Sequence, residues 1–228
     1  MLEHVLHPLH PDGWKFVGIA ATATLILFLL WPPIGWAALV VTLWVVYFFR
    51  DPKRVTPIRE GLVVSPADGL IVSIAEAVPP KELGLGEAPM TRIGIFLNVF
   101  DVHINRIPMD GAIVDTNYRR GSFVNASLDK ASEDNERMAI RLRTLTGAEI
   151  VVVQIAGLVA RRIVCRLQPN QPVTAGERFG LIRFGSRTDL YLPPAWPVLA
   201  VEGQRVLGGE TVLADATATE PRRVGVVR

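Results

Sequence analysis

The chain has 228 residues, half of them hydrophobic and a fifth charged, with a formal net charge of +2. That is long enough for a membrane segment plus one soluble domain with a real core, and too near neutral for a nucleic-acid footprint. A single cysteine, Cys165, excludes an internal disulfide; within the alternating run "RRIVCRL" it reads as a buried strand residue of a protein facing a reducing compartment.

In chain order, the three histidines His4, His7 and His10 come first. Pro8 and Pro11 break any helix that would align them, so no metal site is expected there. Residues 16–49 then run for 34 positions without a charged side chain. The block is interrupted by Trp31-Pro32-Pro33 and lacks a small-residue cleavage site, so it is not a cleavable signal peptide. Each half makes roughly 24 Å of helix, short against a hydrocarbon core of about 30 Å. Either two short helices form a hairpin hinged at the prolines, or one kinked segment spans the bilayer. Trp31, Trp36, Trp44 and Tyr47 suit an interfacial belt, and Arg50, Lys53, Arg54 and Arg59 place the soluble domain on the cytoplasmic side of the cell membrane.

From Asp51 onward the pattern is one of short strands. "LVVSPADGLIVSIAEA" reads as a hairpin about Asp68-Gly69, and "TRIGIFLNVFDVHINRIP" as a long alternating stretch. "MDGAIVDTNY" opens on a second Asp-Gly turn. The polar run 125–138 is expected to form a short exposed helix or lid. A hairpin about Thr146-Gly147 comes next, then a further strand. "QPVTAGERFGLIRFG" and "GQRVLGGETVLA" share one pattern, as a strand-turn-strand unit used twice would. The expected fold is mainly β with a short helix: a barrel-sandwich-like soluble domain behind an N-terminal hydrophobic helical hairpin, with residues 1–50 membrane-associated and 51–228 catalytic.

After the apolar block only one imidazole remains, His103, the natural general base near neutral pH. If "FDVHINRIP" is extended, Asp101, His103 and Asn105 share a face. Asp68 is the candidate carboxylate, although Asp beside Gly serves turn geometry equally well, and Asp110 invites the same turn reading. "RFGSRTDLYLP" puts a Gly-Ser pair inside a strand-like run, where glycine usually marks a bulge or close approach. It is not a hydrolase elbow, because position 188 is threonine. A hydroxyl so placed is poorly presented to a foreign peptide and well placed to attack the carbonyl of Gly185. The ester formed could eliminate across Ser186, and the product hydrolyse to a pyruvoyl group. A membrane-anchored serine peptidase using Ser186, His103 and Asp68 is the alternative. A lipoyl or biotinyl carrier is disfavoured, because Lys130 is the only lysine after residue 81.

The motifs "SPADG", "FLNVFDVHINRIP(M)DG", "NER" and "RFGSR.DLYLP", in that order behind an apolar block, closely resemble the short bacterial and archaeal type of phosphatidylserine decarboxylase proenzyme. The resemblance covers roughly residues 55 to 210. It implies self-cleavage between Gly185 and Ser186 into a large subunit (1–185) and a small one (186–228), paired as a heterodimer, with a higher oligomer left open. It implies that Ser186 becomes a covalent pyruvoyl cofactor that forms a Schiff base with the amine of phosphatidylserine, and that Asp68, His103 and Ser186 form the processing triad. His103 is the candidate proton donor in the second reaction. Longer members carry a second histidine where this chain has Arg106, so no role of that histidine transfers. Arg183, Arg187 and Phe123 are the candidate substrate contacts; no metal and no nucleic acid are implied.

Overall fold

The computed structural model describes residues 7–123, 135–157, 162–183, 185–221 and 223–226. Two compact units divide the chain: residues up to Lys53 with Phe100–Val102, and Arg54–Val99 with His103 onward.

The first unit is built on two antiparallel helices, α1 (Trp14–Leu30) and α2 (Pro32–Phe48). Of the two readings left open by the sequence, the hairpin is the one formed. Trp31 between them is extended (φ −158°, ψ 100°), as the residue before a proline prefers. Pro32 and Pro33 fall in the first turn of α2, where a missing N–H leaves nothing unpaired. The helices meet through a 2.9 Å hydroxyl bond between Thr24 and Thr42, and at Gly35, where a Cβ would lie 2.4 Å from the Phe28 ring. At the open end His10 donates its N–H to Phe49 O, and Asp51 donates to Pro8 O. Most large apolar side chains of both helices face outward, Leu29 and Leu30 among them. By length and composition Pro11–Leu30 is able to cross a membrane.

The second unit is β-rich. Its strands are β1 (Leu62–Val64), β2 (Gly69–Ala77), β3 (Met90–Leu97), β4 (Ile104–Arg106), β5 (Gly111–Arg119), β6 (Arg137–Thr144) and β7 (Glu149–Ala156), then β8 (Ile163–Cys165), β9 (Pro172–Val173), β10 (Arg178–Ile182), β11 (Ser186–Leu192), β12 (Arg205–Val206) and β13 (Val212–Asp215). Eight form one antiparallel sheet in the order β12-β2-β3-β11-β7-β6-β5-β9, while β4-β10-β8 and β1-β13 make two smaller sheets. One face of the large sheet carries the main core, with Ile93, Ile95, Leu97, Ile140, Leu190 and Leu192. The other face buries Val151, Val153, Ile155 and Tyr191. Strand β11 lies between β3 and β7 and is buried at every residue.

Three local expectations change. Leu62–Ala77 is not a hairpin: β1 pairs with β13 and β2 with β3, so Pro66-Ala67-Asp68 crosses between sheets. The stretch 91–108 is two strands, β3 and β4, and Asp101 lies in a bend between them, outside the strand face it was expected to share. The helix or lid expected over 125–138 falls mostly outside the described residues, and its end, Arg137 and Met138, opens β6 instead.

The expected doubling of a strand-turn-strand unit is present, and a second repeat accompanies it. Ser65-Pro66-Ala67-Asp68-Gly69 and Ile107-Pro108-Met109-Asp110-Gly111 share the pattern Pro-x-Asp-Gly and make matching bonds. Asp68 Oδ1 accepts from Gly208 N at 2.8 Å and Asp110 Oδ1 from Ala175 N at 2.7 Å. The next residues, Gly209 (φ +79°) and Gly176 (φ +80°), turn their chains alike, in the left-handed region where glycine is favoured. Val64 N donates to Pro108 O, and Arg106 N to Pro66 O, both at 2.9 Å.

Candidate active site

Strand β11 begins at Ser186, whose register partners are Leu97 on β3 and Ala156 on β7. Both flanking strands cover it, and Ser186 is 0% exposed. Its Oγ is buried and has no hydrogen-bond partner among the described residues. A buried hydroxyl left unpaired costs about 1–3 kcal/mol, so an orphan at this atom asks for a reason. The residue before it, Gly185, has φ +72°. A Cβ there would approach nothing closer than Val99 at 3.9 Å, so glycine serves backbone conformation and not space.

The N–H of Gly185 donates to Nε2 of His103 at 3.1 Å. His103 comes to that position because β4 pairs with β10, setting Ile104 opposite Leu181. Ile182 N then bonds His103 O at 3.2 Å, which carries the imidazole to the chain just beyond β10. Because Nε2 accepts this hydrogen bond, its lone pair faces the N–H of Gly185, in the peptide immediately before the Gly185–Ser186 bond.

Asp68 is buried at the crossing from β1 to β2. Besides the Gly208 amide it takes a 2.5 Å ion pair from Arg54 Nη2. By sequence Arg54 stands only among the cations that orient the membrane segment. No spacing ties it to Asp68; the pairing depends on where residues 54–68 run in three dimensions.

Asn105, expected from its spacing to share a face with His103, and Gln154, which lies in no motif singled out in the sequence, are both fully buried. Asn105 Nδ2 donates to Thr188 Oγ1 at 3.1 Å and to Pro66 O at 3.4 Å. Gln154 Nε2 donates to Asn105 Oδ1 at 2.8 Å. Asn135, in the "NER" run, donates to Ala156 O at 2.7 Å, and Ala156 N donates to Glu136 O, pinning the strand position opposite Ser186. Arg137 of the same run holds Glu82 through two bonds, at 2.7 and 3.0 Å. Burial alone would raise the pKa of Glu82, but the Arg137 hydrogen bond and charge carry it below the usual carboxylate value.

The three candidate substrate contacts fall in different places. Phe123 is half-buried and packs with Ala156 and Ile182, next to the strand position facing Ser186. Arg183 is largely buried at the end of β10, with its N–H on Arg162 O. Arg187 lies on the opposite face of β11 from Ser186, because side chains alternate along a strand. It is 0% exposed and bonds Asp189 at 2.5 Å and Ser73 at 3.1 Å. A Cβ at Gly94 would sit 2.4 Å from its guanidinium. Arg187, expected to meet a headgroup, is turned away from Ser186 and held in a buried pair behind it. Burial pushes the Cys165 thiol pKa up, which keeps it as a thiol. Among the described residues no group of three His, Cys, Asp or Glu side chains is arranged to hold a metal.

Residues 41–214 match the family model described as phosphatidylserine decarboxylase. The chain is 56% identical over 228 residues to a phosphatidylserine decarboxylase proenzyme of Cereibacter sphaeroides, covering 100% of this chain and 98% of that one. A proenzyme of the same name from Paramagnetospirillum magneticum is 54% identical, covering 100% and 95%. Another, from Nitrobacter winogradskyi, is 57% identical over 217 residues, covering 95% and 88%.

Proposed function

The chain belongs to the phosphatidylserine decarboxylase family, and from that premise we propose that it converts phosphatidylserine to phosphatidylethanolamine and CO₂ after cutting its own backbone between Gly185 and Ser186. One observation carries the reading: a buried, unpartnered Ser186 Oγ follows a left-handed Gly185 whose N–H is held by His103 Nε2.

In the cutting step the Ser186 hydroxyl proton passes to His103 while Oγ bonds to the Gly185 carbonyl carbon. The Gly185–Ser186 C–N bond breaks, and the proton moves to the departing nitrogen. This leaves an ester to Ser186 Oγ and a free amine at residue 186. Loss of the Ser186 Cα proton then expels the Gly185 carboxylate from Cβ. The enamine left behind tautomerises, and water releases ammonia to leave a pyruvoyl group at the head of the 186–228 subunit. The positive φ of Gly185 supports the first attack by letting the chain present the Gly185 carbonyl to Ser186 Oγ in a backbone conformation that a residue with a Cβ reaches only at a cost. Asp68 orients the centre through the loop that also supplies Pro66 O to Asn105, and Arg54 holds Asp68.

A pyruvoyl ketone conjugated to an amide supplies the electron sink that removal of CO₂ from an amino acid needs, in the manner of pyridoxal phosphate. The residues around position 186 fit such a group. The orphaned Oγ leaves in the chemistry that makes it, and β3 and β7 exclude water on either side. Arg183 and Phe123 are the proposed headgroup contacts, and His103 the proposed donor of the proton that returns to the substrate carbon. The apolar hairpin holds the enzyme at the cytoplasmic leaflet, where its diacyl substrate resides. A serine peptidase acting in trans is poorly served by a nucleophile that is 0% exposed between two strands.

Intact mass of the purified protein tests the reading. Two fragments ending and starting at 185/186, the smaller one reacting with a hydrazine, are expected; Ser186→Ala should give one chain and no CO₂ release. A single wild-type chain that still decarboxylates would overturn it.

A further inference from the structure

The side-chain oxygen of Gln154, a residue that is 0% exposed, is buried and has no hydrogen-bond partner among the described residues. The orientation of its amide follows from its neighbours. Pro66 O can only accept, so the NH₂ end of Asn105 must face it. Asn105 Oδ1 then faces Gln154, and the NH₂ end of Gln154 must point to it, with Val164 O as a second acceptor at 3.5 Å. Oε1 is the atom left over.

Its location ties it to the reaction centre. Gln154 is the β7 partner of Thr188, and Ala156 that of Ser186. Side chains two apart on one strand share a face, so Gln154 and Ser186 lie on one face of adjacent strands, as a diagonal pair within reach of a long side chain. The two unpartnered buried oxygens of Gln154 and Ser186 are therefore neighbours. Self-cutting removes the hydroxyl of Ser186; it leaves the Gln154 acceptor where it was.

We propose that Gln154 Oε1 is the acceptor for the primary ammonium of the serine headgroup as it docks beside position 186, a specificity contact that selects headgroups bearing N–H donors. The inference rests on the decarboxylase reading. An ammonium is the donor such an acceptor favours, since hydrogen bonds to charged groups are about twice as strong as neutral ones. Gln154 thereby recognises the amine while its NH₂ end fixes Asn105.

Binding tests this without turnover. Mature protein reduced with borohydride carries an alcohol in place of the ketone and can be titrated calorimetrically. The two ligands are glycerophosphoethanolamine and its amine-free counterpart glycerophosphoethanol. The wild type should prefer the amine, and Gln154→Met should lose that preference by about tenfold, the size of one charged hydrogen bond. Gln154→Glu, which keeps an acceptor and adds charge, should preserve or strengthen it. Equal preference in wild type and Gln154→Met would overturn the inference. Should Gln154→Met remain uncut, Gln154→Glu decides, and a weakened preference there overturns it. A wild-type chain that never splits sinks the decarboxylase reading instead, and the gel shows it before any titration.

Discussion

Nε2 of His103 and the N–H of Gly185 meet at 3.1 Å across a separation of 82 residues. The bond holds the peptide just before the Gly185–Ser186 bond and brings a basic nitrogen beside it. His103→Ala should leave the protein as one band on a denaturing gel, with a folded spectrum. Gly185→Ala meets no steric obstacle, but a left-handed alanine costs about 1–2 kcal/mol. It should slow maturation while changing the melting temperature by only a few degrees; maturation at the wild-type rate would remove the left-handed backbone of residue 185 from the mechanism.

The Pro-x-Asp-Gly repeat separates architecture from chemistry. Asp68 and Asp110 each accept the amide that precedes a left-handed glycine. Only Asp68 shares its turn with Pro66, the acceptor for Asn105, and holds Arg54. Asp110→Asn should lower stability by about 1 kcal/mol and leave the chain fully cut. Asp68→Asn should stop or strongly slow cutting, and Arg54→Gln should slow it. Equal maturation of the Asp68 and Asp110 variants would make both aspartates turn residues.

Arg187 and Asp189 form a pair with no solvent exposure on either side chain. Removing one partner of a buried pair strands the other charge, at about 3–5 kcal/mol, whereas replacing both with apolar side chains is often near neutral. Arg187→Leu should unfold at a markedly lower temperature than wild type, and the double change Arg187→Leu/Asp189→Leu should recover most of the loss. A double variant no more stable than the single one would point to the Ser73 bond or to packing around Gly94.

Asp215 gives the β unit an acid limit. Burial raises its carboxyl, but hydrogen bonds from Arg59 and Thr217 outweigh this and bring it from the ordinary 3.8 down to about 2. A carboxylate depressed on folding contributes stability above its unfolded pKa and loses it as pH falls through the folded one. The contribution should therefore fade between about pH 4 and about pH 2. It is modest, because Arg59 is half exposed and solvent screens the pair. Melting temperatures over that range should fall less steeply for Asp215→Asn than for wild type; parallel curves would assign the acid sensitivity elsewhere.

Much was legible in the chain alone. The uncharged block 16–49 with its two prolines, the glycine break just before Ser186, the lone imidazole of the later chain and the Thr146-Gly147 hairpin all rest on local rules. Side-chain period, proline geometry and glycine freedom act within a few residues, so sequence spacing reports them directly. The Asp68-Gly69 hairpin failed for the same reason: an Asp-Gly pair specifies a tight turn, not which strands the turn joins. Tertiary structure alone decided that His103 reaches Gly185, that Arg54 holds Asp68, that Arg187 faces away from Ser186, and that Gln154 keeps an unsatisfied oxygen beside it. Apart from the Arg54–Asp68 pair, which depends on the path of residues 54–68, those partnerships come from strand register between segments up to a hundred residues apart, which is set by burial of the whole sheet and leaves no mark in the spacing of any one motif.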